Sequence, residues 1–233
     1  MRSLLFAASC TVLLSTAVAV PERAPVLVEL FTSEGCSSCP PADRLLGLLD
    51  SYAIVLSEHV DYWDGLGWKD RFSSPAFTER QSAYARSFGL DSPYTPQMVV
   101  DGAAQFNGSD SRSADAEIRK AAARPRTSIN LERSDAGLKV ETQGAPRDAD
   151  LWLALADSSA STQVKNGENK GRELRHVAVV RSLRKLASLK RGAAFARQVD
   201  LPPGSSSQRV VVFLQESGQA RVLGVAMLPA PEM

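Results

Sequence analysis

A strand–helix–strand pattern in residues 26–60 is the feature that most constrains the fold. Val26–Phe31 and Ala53–Val60 are short, nearly continuous apolar runs, and each predicts a buried strand. Between them, leucines at positions 45, 46, 48 and 49 predict a helix that ends near Asp50. Because parallel strands need a crossover connection, this segment predicts a right-handed βαβ unit.

The pattern continues with two more helices and a hairpin as far as Pro125. Pro75 can begin a helix that Gly89 ends, and Asp101-Gly102 is a strong hairpin signal. Ser113 can cap the last helix of this half. The predicted elements are a helix at Pro75–Phe88, strands at Gln97–Val100 and Ala103–Asn107, and a helix at Ala114–Ala123.

After Pro125 the periodicity changes to short strands at sandwich-like spacing, separated by turn residues. We therefore expect a domain boundary near Arg124–Arg126 and an all-β, sandwich-like domain over residues 126–233. The predicted strands are Ser128–Arg133, Leu138–Thr142, Asp150–Ala156, Leu174–Ser182, Phe195–Leu201, Arg209–Gln215 and Val222–Leu228.

The N-terminal segment predicts export. Leu4–Val20 is apolar or small, and Ala17-Val18-Ala19 has the small-x-small form that signal peptidase cleaves. Residues 1–19 are interpreted as a signal peptide, which makes the protein secreted or periplasmic and leaves no membrane contact after cleavage. A membrane anchor is the alternative, and lipidation at Cys10 fits less well because the apolar run before it is short.

Charge argues against a nucleic-acid partner. The 233-residue chain has 27 basic and 26 acidic residues, and removal of Arg2 with the signal makes the two numbers equal. A protein that binds nucleic acid through its phosphates usually carries a basic patch or stripe, and this composition predicts none.

Cys36-Ser37-Ser38-Cys39 lies between the first strand and the first helix, and it is the motif that most directly predicts chemistry. At a helix N-terminus the macrodipole favours a thiolate, so Cys36 is the expected nucleophile and Cys39, one turn later, the resolving thiol. A structural disulfide is an alternative, although it would close a small loop and stabilise weakly. A metal site is another, although one such pair supplies only two of the four ligands that zinc needs.

A polar and aromatic loop follows the second strand, at the end where α/β proteins place their sites. One interpretation is a lid or second shell beside Cys36; the other is a packed loop whose aspartates cap turns. The candidate residues are His59, Asp61, Trp63, Asp64, Trp68 and Asp70. His176 lies in a strand pattern and is interpreted as a strand residue rather than a catalytic one.

Val28–Leu49 and Tyr94–Gly102 resemble a thioredoxin-like domain. More closely, several motifs resemble a bacterial family of secreted proteins with that fold and no assigned function. The motifs are Glu29–Asp43, His59–Asp64, Leu66–Asp70, Arg80-Gln81, Tyr94–Gln97 and Gly167–Asn169. The sequence departs from ordinary thioredoxins in Gly35, where tryptophan is usual, and in Ser37-Ser38, where Gly-Pro is usual.

The resemblance implies an α/β fold class with a thioredoxin-like N-terminal domain, residues 20–125, before the sandwich-like domain. It implies a cis bond between Thr95 and Pro96, which would present the backbone of Thr95 to a partner chain near the disulfide. It also implies that Gly167–Asn169 contacts the first domain.

These patterns leave three functions open. The first is an exported thiol–disulfide oxidoreductase that needs no cofactor, in which Cys36 attacks a protein partner, Cys39 resolves, and Thr95 and Pro96 position the partner. The second is a non-catalytic scaffold whose sandwich binds a partner. The third is a Cu(I)-handling protein with His59 as a third ligand, because soft thiolates suit Cu(I). The redox partner, the direction of electron flow and the oligomeric state stay open.

Overall fold

The computed structural model of the chain describes residues 24–134 and 137–231. The predicted signal peptide, residues 1–19, and Cys10 lie outside the described residues. Within the described ranges, no helix combines the length and the apolar character that crossing a membrane requires.

The predicted βαβ unit is confirmed. Strand β1 spans Leu27–Thr32, helix α1 spans Pro40–Leu49 and strand β2 spans Ile54–His59. The two strands pair in parallel, from Leu27 opposite Ile54 to Thr32 opposite His59. Both strands are buried throughout, as near-continuous apolar runs predict.

The rest of the first half also follows the prediction. Helix α2 is Pro75–Ser87, strands β3 and β4 are Gln97–Val100 and Ala104–Asn107, and helix α3 is Ser111–Ala122. The predicted cap of α3 is wrong: Asp110, not Ser113, accepts the N–H groups of the first turn. Asp110 is the acceptor because the helix begins three residues earlier than predicted.

The described part of the second half contains seven strands, and two of them are much longer than predicted. These two are β7, Ala149–Gln163, and β8, Glu173–Leu189, which form one long hairpin. The other five are β5, Ile129–Ser134; β6, Gly137–Thr142; β9, Phe195–Val199; β10, Arg209–Glu216; and β11, Val222–Leu228.

The predicted fold class, a thioredoxin-like α/β domain followed by a separate β-sandwich, is wrong. The described chain is mostly β: one mixed sheet of eight strands, in the order β11-β10-β7-β8-β2-β1-β3-β4, and a second sheet of three strands, β5-β6-β9. The large sheet contains strands from both halves, and they join where Ser57 of β2 pairs with Val179 of β8 in parallel.

Packing explains why the sheet continues across the two halves. One apolar cluster contains Leu27 and Leu56 from the first half together with Val180, Val211 and Phe213 from the second. An independent first domain would leave these two leucines facing water. Burying them against the second half is favourable at about 25 cal/mol per Å² of apolar surface.

The three helices and the small sheet cover different parts of the large sheet. Helices α1 and α3 pack on one face of β1 and β2 through Leu46, Leu49 and Ile118, and α2 packs through Tyr84 against Phe31 on the other face. The small sheet packs against β7 and β10 in a separate apolar cluster. The carboxyl ends of β1 and β2 therefore lie beside the first turn of α1, where the cysteine pair is.

Candidate functional site

Cys36 and Cys39 form a disulfide in the connection between β1 and α1, with their Cα atoms 5.4 Å apart. The Cys36 N–H donates to the Ser33 carbonyl and the Cys39 N–H to the Cys36 carbonyl, so two turns follow each other. Helix α1 begins at Pro40 with Cys39 as its N-cap. Cys36 therefore lies in the turn before the helix, one turn earlier than predicted.

Both cysteines are fully buried, at 0% exposure, while Ser37 and Ser38 between them are exposed. Exposure therefore does not distinguish Cys36 from Cys39. One polar side chain reaches the sulfur: the Ser38 hydroxyl oxygen lies 3.4 Å from the Cys36 Sγ. A hydroxyl in this position can donate a hydrogen bond to a Cys36 thiolate and stabilise it.

Trp63 connects three of the predicted site segments. Its indole Nε1–H donates to the Thr95 hydroxyl at 2.8 Å, and a Cβ on Gly35 would lie 3.1 Å from the Trp63 Cβ. Glycine before Cys36 thus makes room for a tryptophan that comes from the loop after β2. Trp63 is half-buried and lies between the cysteine turn and the segment that leads into β3.

Pro96 lies close to the first turn of α1, and the Thr95–Pro96 peptide bond is cis, as the resemblance implied. Gly108 shows how tightly these segments approach. A Cβ built on it would lie 3.0 Å from both the Pro96 Cβ and the Ala42 Cβ. The structure therefore brings Pro96 beside the helix that follows Cys39.

The aspartates of the loop have structural hydrogen bonds. Asp61 accepts a hydrogen bond from the Thr78 hydroxyl at the start of α2. Asp64 accepts from the Asp70 N–H at 3.1 Å and from the Ser73 hydroxyl at 2.7 Å. These contacts fit the packed-loop interpretation for Asp61 and Asp64.

A buried acid–histidine cluster lies next to the cysteine turn. We use this name for Glu34, Asp43, His59, Asp70 and His176, all of which are at most 5% exposed. The His59 Nδ1 lies 2.6 Å from the Asp70 Oδ2, and the His59 and His176 rings meet edge to face with centroids 4.7 Å apart. The His176 Nε2 lies 3.6 Å from Glu34 and its Nδ1 lies 3.7 Å from Asp43.

Charge interactions in this cluster oppose the effect of burial. Burial lowers the pKa of His176, but the Asp43 and Glu34 carboxylates outweigh it and raise the pKa to about 9. Burial raises the pKa of Asp70, but His59 and the N–H groups of Glu34 and Phe72 outweigh it and lower the pKa. At neutral pH, His176 is therefore a buried cation between two carboxylates.

The cluster holds its members in a fixed arrangement around the cysteine turn. The Glu34 carboxylate accepts the Trp68 indole N–H at 2.8 Å, and its backbone N–H donates to Asp70 at 2.9 Å. Asp43 accepts the Thr32 hydroxyl at 2.9 Å from the end of β1. Within residues 24–134 and 137–231, no three His, Cys, Asp or Glu side chains are grouped as metal ligands, and His59 is engaged with Asp70.

The turn between β7 and β8 covers the cysteine turn. The Asn169 amide is fully buried and donates to the carbonyl oxygens of Glu34 and Cys36, both at 2.9 Å. The Ser37 N–H donates to the Glu168 carboxylate at 3.1 Å. The implied contact between Gly167–Asn169 and the first half of the chain is confirmed.

Sequence reasoning gave no site role to Glu34, Asp43, Glu168 and Asn169, and it interpreted His176 as a strand residue. A signal was present for some of them: Gly167–Asn169 and Asp43 lie within the motifs of the resemblance, and His176 is a polar residue among apolar ones in a strand. No local signal indicates that Asn169 meets Cys36, because the contact depends on how the long hairpin folds back.

The chain matches a known protein family over most of its length. Residues 27–215 match the family described as "Protein of unknown function (DUF1223)". Among curated proteins, none matches the chain.

Two solved structures are similar. One, from a structural genomics consortium, is a protein of Agrobacterium tumefaciens that is 26% identical, with 92% of this chain and 98% of that chain covered and a TM-score of 0.78. The other is HBP35 of Porphyromonas gingivalis, 15% identical, with 91% and 79% covered and a TM-score of 0.55. The second likeness concerns the fold alone.

Proposed function

The chain belongs to the DUF1223 family, and on that premise we propose that it is an exported thiol–disulfide oxidoreductase that exchanges disulfides with a protein partner. The observation that carries this proposal is the Cys36–Cys39 disulfide, which directly precedes a helix and lies beside the acid–histidine cluster. The predicted signal peptide supports export. The disulfide is compatible with it, because disulfides persist in oxidising compartments outside the cytosol.

Two features favour redox chemistry over a structural bridge. The disulfide closes a loop with a sequence separation of 3, which constrains the unfolded chain little. The adjacent cluster contains a histidine with a strongly raised pKa, and perturbed titratable groups collect at functional sites.

The reaction is a pair of exchanges. A partner thiolate attacks the Cys36 Sγ, the bond to Cys39 breaks, and Cys39 leaves as a thiolate that takes up a proton. The second thiol of the partner then attacks the mixed disulfide and releases Cys36. Two electrons and two protons pass from the partner dithiol to the protein, and the partner becomes a disulfide; the reverse sequence reduces a partner disulfide and re-forms the Cys36–Cys39 bond. Thr95 and Pro96 would position the partner beside Cys36.

Trapping tests this assignment. Reduced Cys39→Ser, incubated with a peptide disulfide, should keep a stable adduct on Cys36, because the resolving thiol is gone. Reduced Cys36→Ser should form none, and circular dichroism should show both variants folded. The absence of any adduct from folded Cys39→Ser, or equal adducts on both variants, would contradict the proposal.

The complete burial of both sulfurs favours a second candidate, a non-catalytic scaffold in which the disulfide is structural. This alternative predicts that folded protein exchanges with no peptide disulfide and that the pair resists reduction. The reduction potential separates the two, because structural bridges lie below about −300 mV and oxidoreductase pairs lie above it.

A further inference from the structure

The turn that joins β7 and β8 closes over the cysteine motif and satisfies main-chain groups there. We call residues 164–172 the cap. Its ends are bonded to each other, since the Val164 N–H donates to Arg172 O and the Gly171 N–H donates to Val164 O. Asn169 is held in position within the cap, because its Oδ1 accepts from the Arg172 guanidinium at 2.9 Å.

The cap contacts the cysteine turn through polar groups and approaches the loop after β2 closely. Asn169 donates to two carbonyls of the motif, and Glu168 accepts from one N–H. Gly167 lies against Trp68, where an added Cβ would come within 3.0 Å of the Trp68 Cβ. Three hydrogen bonds therefore fasten the cap to the main chain around Cys36, whose sulfur is buried.

The groups that the cap satisfies belong to one short stretch of main chain: the carbonyls of Glu34 and Cys36 and the N–H of Ser37. The carbonyls of Glu34 and Cys36 are buried, and buried carbonyls without partners cost free energy, so other donors must replace Asn169 when the cap is displaced. The exposed Ser37 N–H needs a new acceptor, which water or a bound chain can provide. An extended polypeptide presents N–H and C=O groups along its length and can supply both.

We propose that the cap is a gate, and that an extended polypeptide displaces it and takes over its hydrogen bonds to Glu34, Cys36 and Ser37. This inference rests on the proposed function and names the partner class: a peptide main chain that carries a cysteine, rather than a small thiol. The attacking thiolate of that peptide reaches Cys36 only when Asn169 has left.

The gate can open without unfolding the core. Beyond Val179, where β8 still pairs with β2, the distal strands of the hairpin pair only with each other within the described chain. Val164 at the base of the cap is buried, but Glu168, Lys170 and Arg172 are exposed, and the apolar clusters of the core contain none of residues 164–172. Segments with few apolar contacts open locally at low free energy.

Reduction by a phosphine tests the gate without any peptide. Asn169→Ala should speed the reduction of the folded, oxidised protein by tris(2-carboxyethyl)phosphine about tenfold or more, because it removes two hydrogen bonds. Asn166→Ala is the matched control, since Asn166 is an exposed neighbour, and it should react as wild type does. Glu168→Ala, which removes one exposed contact, should give a smaller increase and serves if Asn169→Ala does not fold. Equal rates of disulfide reduction in wild type, Asn169→Ala and Glu168→Ala would contradict the proposed gate.

Two cysteine peptides, one of them N-methylated, test whether the partner docks through its main chain. A cysteine peptide should reduce the disulfide faster than the same peptide with N-methyl groups on the residues that flank its cysteine, because methylation removes the N–H donors. Equal rates for the two peptides would overturn main-chain docking and leave the redox function intact. If neither peptide exchanges with folded Asn169→Ala, whose disulfide a phosphine does reduce, the redox function fails and the docking fails with it.

Discussion

Arg80 is a buried cation that holds together acidic and polar groups from several elements. Its Nε lies 2.6 Å from Glu29 of β1 and 3.6 Å from Glu58 of β2. Its Nη2 donates to the Tyr84 hydroxyl at 3.1 Å and to Gln215 of β10 at 3.2 Å. Burial and the Glu29 carboxylate raise the pKa of Glu58 well above its usual range.

Removal of this cation should destabilise the protein strongly. Arg80→Met leaves the Glu29 carboxylate buried without its partner, and we expect the free energy of unfolding to fall by about 3–5 kcal/mol. The matched control is Arg86→Met, an exposed arginine on the same helix, which should change it by less than about 0.5 kcal/mol. Urea titration measures the free energy of unfolding of both variants. If Arg80→Met is as stable as Arg86→Met, the buried contacts of Arg80 do not stabilise the protein.

Residues such as Arg80 mark the limit of prediction from sequence. Asp101-Gly102 was predicted as a turn because its signal is local, and both residues have the positive φ that such a hairpin needs, 52° and 61°. Apart from Tyr84, the partners of Arg80 lie in strands distant in sequence, and an arginine on a predicted helix carries no local sign that it will be buried. The same applies to Asn169 at the candidate site.

At the scale of elements, the position and type of a helix or strand were predictable where one of its faces is apolar. The length of a strand was not. Strand β7 was predicted to end at Ala156 and extends to Gln163, and β8 was predicted to end at Ser182 and extends to Leu189. The added segment of β7 is polar and partly exposed, so it lacks the apolar run that predicts a buried strand. The unpredicted residues of β7 lead into the cap, whereas those of β8 pair with the start of β7 at the opposite end of the hairpin.

His176 fastens this hairpin to the first half of the chain, and its titration should change stability with pH. Because Asp43 and Glu34 raise its pKa to about 9 against burial, the folded protein binds this proton more tightly than the unfolded chain, where the pKa is about 6.5. Stability from this group is therefore complete below about pH 6.5 and is lost as pH rises through about 9.

The comparison with His176→Gln isolates this effect, since every other group titrates in both proteins. The advantage of wild type in free energy of unfolding should shrink by about 1–3 kcal/mol between pH 6 and pH 10. Urea titrations at pH 6, 8 and 10 measure it. Parallel stability curves for the two proteins would mean that His176 is neutral when folded.

At the scale of the whole molecule, the sequence predicted the order of the described strands along the chain but not how they assemble into sheets. Pairing of Ser57 with Val179 joins the halves into one sheet, and nothing near either residue signals it. The division into residues 20–125 and 126–233 stays a prediction. Salt bridges also cross it: Arg126 pairs with Asp101, and Arg209 pairs with Asp50 at 2.7 Å.

The shared sheet leads us to expect that the protein unfolds as one cooperative unit. In the chain from residue 20 to residue 233, tryptophan fluorescence and far-ultraviolet circular dichroism should give coincident urea transitions, because the apolar cluster around Phe213 contains residues of both halves. The fragment 20–125, expressed alone, should lack a cooperative transition, since the edge of β2 and the apolar side chains Leu27 and Leu56 would lose their cover. Two separated transitions, or a fragment that folds cooperatively, would instead establish two domains that fold independently and meet along β2 and β8.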